Sequence, residues 1–166
     1  MTGSSASQNV VGIKTLLGAL LGVVVIGLLM TYLVRCPCER IPGTVLFGVE
    51  VEERVSDWSF VNAAGLCQIQ VQGVIPWSVN LNCMADGDGA LYLSCLVCEG
   101  KYWSGRALVN SDARVRILGQ VYPVRLTRLH DAETLDAAWL ARASKTGYGV
   151  GEPRPDHWWS FAVVSR

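Results

Sequence analysis

The sequence predicts a mainly β (α+β) domain carried behind a single N-terminal transmembrane helix. Three observations predict it: an uncharged apolar run from Thr15 to Val34, period-two alternation of apolar residues through much of the chain beyond it, and glycine-containing turns between the alternating segments. Composition agrees, because 51% hydrophobic and 17% charged residues in a chain of 166 exceed what a soluble domain of that size needs.

The run TLLGALLGVVVIGLLMTYLV lies between Lys14 and Arg35. At about 1.5 Å rise per residue it covers roughly 30 Å, the hydrocarbon thickness of a bilayer. A cleaved signal peptide would have a shorter apolar region ending in small residues, and a lipoprotein signal would not carry Arg35 before Cys36. The expected division is a polar tail over 1–12, a transmembrane helix over 13–35, a linker over 36–43 and a folded domain over 44–166. Lys14 and the free amine stand against Arg35, Arg40 and Arg54 on the far flank. That count leans towards a bacterial-type inner (cytoplasmic) membrane with the domain on the cytoplasmic side. An exported domain stays open, since the six cysteines could pair there, although several sit in strand-like alternation where a thiol serves as a small apolar residue. Gly18 and Gly22 form a GxxxG pair, which would let a second transmembrane helix pack closely.

Beyond Arg35 the charges nearly cancel, with no Lys/Arg run and no basic helix face, so nucleic-acid binding is excluded as an expectation. The segment CPCERIPG reads as a short stiff linker, because its prolines and glycine cannot continue the helix. Val45, Phe47, Val49 and Val51 alternate with small or charged residues, and Cys67, Ile69 and Val71 alternate with Gln68, Gln70 and Gln72. Trp77, Val79, Leu81 and Cys83 share a face, Asp86–Gly89 makes a turn, and LYLSCLVC returns as the partner strand. A second hairpin is expected from ARVRIL and VYPVRLTRL about a Gly119-Gln120 loop of type II′. That register places Val115 opposite Val124 and Arg114 opposite Arg125, gathering Arg114, Arg116 and Arg125 where an anion, carboxylates or a partner chain would compensate them. Helices are expected near Trp103–Asn110 and over Ala132–Lys145, the latter capped by Asp131 and closed by Gly147, with Leu135 and Trp139 on its buried stripe. The segment HWWSFAVV supplies a last strand.

The succession PWSVNLNC, a GDG turn, ALYLSC, GKYW, NSDARVRILGQVYPVRLTRL and a terminal strand resembles the pyridoxamine-5'-phosphate-oxidase-like split β-barrels, closest to the deazaflavin-dependent nitroreductase-like branch. The match covers about residues 42 to 166. It implies a split β-barrel of six or so strands with two helices, a flavin-type cofactor (FMN or a deazaflavin), a possible oxidoreductase activity and a homodimer. Carried over, the resemblance places the phosphate at Lys101, Ser104 and Arg106, and the ring against Ser78, Asn80 and Asn82. Trp103 would wall the pocket, and the segment around Trp158 would come from a second subunit. Further basic residues on the preceding strand and a proline after the short helix, both usual in the family, are absent here.

Cys95-x-x-Cys98 with Cys36-x-Cys38 offers four thiols for a zinc site only if the chain bends at Leu96-Val97, so no metal is expected. No catalytic residue is singled out: His130 and His157 stand at element boundaries, and no nucleophile order, P-loop or GxGxxG is present. The aromatic clusters at Asp57-Trp58-Ser59-Phe60 and His157-Trp158-Trp159 fit core, a flat-ring pocket or the lipid interface beside an anchor. Two functions follow: a membrane-anchored flavin-binding oxidoreductase, or a non-catalytic accessory subunit of a membrane complex that uses the barrel as a scaffold.

Overall fold

The computed structural model describes residues 5–166, so the first four residues of the expected polar tail lie outside the described residues. The chain forms two compact units, residues 1–35 and 36–166. The first is helix α1 (Ser5–Arg35), whose stretch Ile13–Arg35 is long and apolar enough to cross a membrane. From Ile13 onward its leucines and valines are exposed. Gly18 and Gly22 lie on its surface with open space beside them.

The second unit contains strands β1 (Val49–Glu50), β2 (Cys67–Val71), β3 (Trp77–Ala85), β4 (Leu91–Cys95), β5 (Asp112–Ile117), β6 (Gln120–Arg128) and β7 (Trp159–Ser165). A 3₁₀ turn spans Ser59–Ala63, α2 spans Tyr102–Val109 and α3 spans Ala132–Thr146. The sheet order is β1-β6-β5-β2-β3-β4-β7, and an added β6–β7 pairing closes all strands but β1 into a barrel. The expected β-barrel class is therefore the observed one. Strand β1 runs parallel to β6 at Gln120 and Val121, along the edge where β7, which pairs from Val124 onward, does not reach.

Alternation fixes the two faces. Cys67, Ile69 and Val71 of β2, Leu81 and Cys83 of β3, Leu91 and Leu93 of β4, and Ala113, Val115 and Ile117 of β5 point inward to a core completed by Phe161 and Trp103. A satellite cluster on the outside packs α3 onto β3, β4 and β7 through Met84, Tyr92, Ala138, Trp139 and Trp158. Helix α3 begins as its sequence dictates: Asp131 Oδ2 accepts from Thr134 N at 3.0 Å, and Gly147 closes it with φ 72°.

The β5–β6 hairpin corrects one expectation. Leu118 (φ 50°) and Gly119 (φ 87°) form the loop, a type I′ arrangement, in place of the expected Gly119-Gln120. Val115 therefore faces Tyr122, Ala113 faces Val124, and Arg114 faces Pro123 rather than Arg125. The pairing shifts by two residues, so facing is preserved: Ala113, Val115, Val124 and Leu126 are all buried. Arg125 lies opposite Asp112 and pairs with it at 3.4 Å, so the expected like-charge opposition does not arise.

All six cysteines are paired. Cys67–Cys83 joins β2 to β3 inside the barrel, Cys36–Cys38 closes the segment after α1, and Cys95–Cys98 ties the end of β4 to the bend at Leu96-Val97. The bend that a zinc site required is present and is used for a disulfide. Among the described residues no group of three or more His, Cys, Asp or Glu is placed to hold a metal ion.

Candidate functional site

The segment after α1 is a strap laid over the outer face of β2, β3 and β5. Cys36 is only 4% exposed, so the expected linker belongs to the folded unit. Cys38 and Ile41 bridge each other, and Gly43 exchanges hydrogen bonds with Ser78 of β3 at 2.8 and 3.0 Å. Only glycine fits there, because a Cβ on residue 43 would come within 2.4 Å of the Cys36 carbonyl.

A polar ladder on the barrel surface holds the strap. Gln68 Nε2 donates to Pro37 O at 3.1 Å, Asn80 Nδ2 to Glu39 O at 2.7 Å, and Leu46 N donates to the buried Gln70 Oε1 at 2.7 Å. Arg116 donates through Nε to Gln68 Oε1 and through a terminal nitrogen to Phe47 O; Arg114 donates to Leu46 O at 3.1 Å and pairs with Glu50 at 2.7 Å. The compensation expected for the arginines is thus supplied by the strap's carbonyls and Glu50. Sequence reasoning missed this role for Gln68 and Gln70, whose alternation reads as a solvated strand face.

The residues expected to bind a cofactor divide between two shallow recesses that share Lys101. Lys101, Asn80 and Trp103 line one of about 410 Å³, together with strap residues Arg40 and Ile41. Lys101, Ser104 and Arg106 border another of about 440 Å³ beside Trp159. The Ser104 hydroxyl lies within hydrogen-bonding distance of the Cys98 and Lys101 carbonyls, and Arg106 Nε donates to Gln72 O at 2.9 Å. Ser78 is wholly buried beneath the strap, and its hydroxyl has no hydrogen-bond partner among the described residues. Asn82 is half-buried on the same face of β3. Trp103 packs its ring against Phe161, with centroids 5.4 Å apart. Trp158, expected at a cofactor from a second subunit, is buried edge-on against Trp139 of its own chain, and Trp58 packs against Tyr122. Both aromatic clusters are therefore largely core.

Lys145 lies in the last turn of α3, where a cation suits the negative end of the helix dipole. Its ammonium instead donates to the carbonyls of Val61 at 2.8 Å and Cys83 at 2.6 Å, 3.7 Å from Cys83 Sγ, and burial pushes its pKa down.

These features define a six-stranded closed barrel with an apolar N-terminal helix. No family model matches the sequence, and no curated protein matches it. Among solved structures it is similar to the crystal structure of a NimC/NimA family protein from Clostridium acetobutylicum, at 14% identity and a TM-score of 0.46, over 63% of this chain and 75% of that one. Likeness at that level carries no argument about what this chain does.

Proposed function

We propose that this chain is a membrane-anchored barrel serving as a binding scaffold, a non-catalytic accessory subunit of a membrane complex. One observation carries the reading: several of the polar side chains that a flavin would need on β3 and α2 are engaged by the chain's own backbone or covered by the strap. Asn80 holds Glu39, Ser104 holds the Cys98 turn, Arg106 holds Gln72, and the strap covers Ser78. The apolar stretch Ile13–Arg35 is the anchor. Pairing of every cysteine supports an oxidising compartment for the barrel, outside the cytoplasm. That opposes the charge count, whose margin is narrow, and disulfide formation depends on compartment more directly than orientation depends on a single arginine.

A second reading, a flavin-type cofactor in an oxidoreductase, is favoured by the convergence of Lys101, Trp103 and Asn80 on one recess. There the chain would hold and orient the group, which would supply the redox chemistry. The test uses the full chain purified in neutral detergent: its visible spectrum, then flavin fluorescence and thermal midpoint on adding excess FMN. The scaffold reading expects no flavin band, no quenching and no stabilisation. A stoichiometric flavin band, or quenching abolished by Lys101→Ala, would overturn it.

A further inference from the structure

The hydrogen-bond ladder along one edge of β3 is interrupted at a single residue. Gly43 exchanges both backbone hydrogen bonds with Ser78, and β4 takes up its pairing with β3 at Asn82, opposite Ser94. Alternate residues of a strand aim their N–H and C=O groups to the same side, so the Asn80 backbone faces the gap between those two partners. The recess of about 410 Å³ lies against this point of β3. Arg40 and Lys101 bring cations to it, Ile41 gives it an exposed apolar wall, and the core residues Leu81 and Trp103 only border it. Lys101 precedes α2 without a side-chain capping bond, so the positive end of that helix adds to the field.

One wall of the recess belongs to the strap, and the strap continues directly from the apolar helix. Arg40 follows Arg35 by five residues, which reach at most roughly 18 Å when fully extended. The Cys36–Cys38 disulfide, with Cα atoms 4.4 Å apart, shortens that path further. If Ile13–Arg35 spans a bilayer, covalent geometry keeps Arg40 near the headgroup layer.

We propose that this recess binds the phosphate of an anionic phospholipid headgroup. Arg40 and Lys101 meet the phosphate oxygens, the Asn80 backbone amide donates to them, and the glycerol and first acyl carbons lie against Ile41. Charge-assisted hydrogen bonds to phosphate are the strong kind, and an apolar wall beside them fits an amphiphile better than a free anion. Glu39 also borders the recess; its carbonyl is held by Asn80 Nδ2, and its side chain is exposed to water. The inference rests on the anchored-scaffold reading.

The test titrates the full chain in neutral detergent with dihexanoyl phosphatidylglycerol, dihexanoyl phosphatidylcholine, inorganic phosphate and FMN, reading thermal midpoint and native mass spectra. Phosphatidylglycerol is expected to raise the midpoint and add one bound lipid. The Arg40→Gln, Lys101→Gln double variant is expected to weaken that binding roughly tenfold or more. Arg54→Gln, at an exposed cation outside the recess, is expected to leave it unchanged. An equal response to inorganic phosphate or FMN assigns the recess to a soluble phosphate and overturns the lipid. A response shared equally with phosphatidylcholine, or indifferent to the double variant, overturns it as well. Alkaline extraction of native membranes tests the anchor separately. A chain retained in the membrane that shows no phosphatidylglycerol shift sinks the inference and leaves the anchor standing, whereas a chain released into the soluble fraction removes the anchor that both require.

Discussion

Glu50 and Arg114, separated by 64 residues, meet at 2.7 Å and tie β1 to β5. The Glu50 side chain is half exposed, so solvent and salt screen the pair, and its contribution is expected at about 0–1 kcal/mol. Gln70, buried beneath the same strap, accepts from the Leu46 amide. Gln70→Leu strands that donor and is expected to cost about 1–3 kcal/mol, more than Glu50→Gln. Urea denaturation of the two variants decides; equal costs would mean that the ion pair, not the buried amide, fastens the strap.

Lys145 bridges α3 to the 3₁₀ turn and β3 through the carbonyls of Val61 and Cys83, both fully buried residues. Lys145→Met keeps the length of the side chain and removes its donors. The expected loss is about 1–3 kcal/mol, the cost of leaving buried acceptors without partners. Wild-type stability in this variant would show that water reaches those carbonyls.

Tyr92 carries a pH signature. Burial, and after it the hydrogen bond to Asp86 at 2.8 Å, pushes its pKa from 10.0 up to about 12. Below the unfolded value both states hold the proton and the contribution is complete. Between 10.0 and about 12 the folded chain keeps a proton that the unfolded chain has lost, so stability falls as pH rises through that window. Tyr92→Phe should flatten part of the alkaline slope, with Tyr122, raised by burial too, supplying a remainder. Denaturation midpoints across that range check it, and an unchanged slope would locate the proton elsewhere.

Two glycines after α3 should differ in cost. A Cβ on Gly147 meets nothing within 4 Å, so Gly147→Ala carries only the strain of φ 72°, about 1 kcal/mol. A Cβ on Gly149, at φ 79°, would sit 2.4 Å from the Trp139 ring, which also donates Nε1 to Glu152 O at 3.0 Å. Gly149→Ala is expected to cost about 1–3 kcal/mol more than Gly147→Ala, because it must move a packed indole. Thermal midpoints of both variants, with near-ultraviolet circular dichroism of the tryptophans, measure the difference.

Alternation made the barrel legible, since it sorts Cys67, Ile69 and Val71 from Gln68 and Gln70 whatever the register. Register was less legible, because Leu118 takes a positive φ that a sequence reading assigns to glycine first. The cap of α3 was visible because Asp131 and Gly147 act within a turn of their own positions. Of the residues read from the resemblance, Lys101, Trp103 and Asn80 share a recess, whereas Ser104 and Arg106 turn to backbone carbonyls beside a second one, a division that only tertiary contacts decide. The strap was hidden, because its partners lie far along the chain: Gln68 reaches back 31 residues to Pro37 and Arg116 reaches 69 to Phe47. No local pattern in CPCERIPG records those distant donors.

The same strap sets where this protein can be cut or joined. A truncation at residue 44, the boundary that composition suggests, would remove the Pro37 and Glu39 carbonyls from Gln68 and Asn80 and uncover Ser78. What looks like spacer is a piece of barrel wall. Exchange of the apolar helix for another segment, or for none, preserves the folded unit only when Cys36 and everything after it are kept.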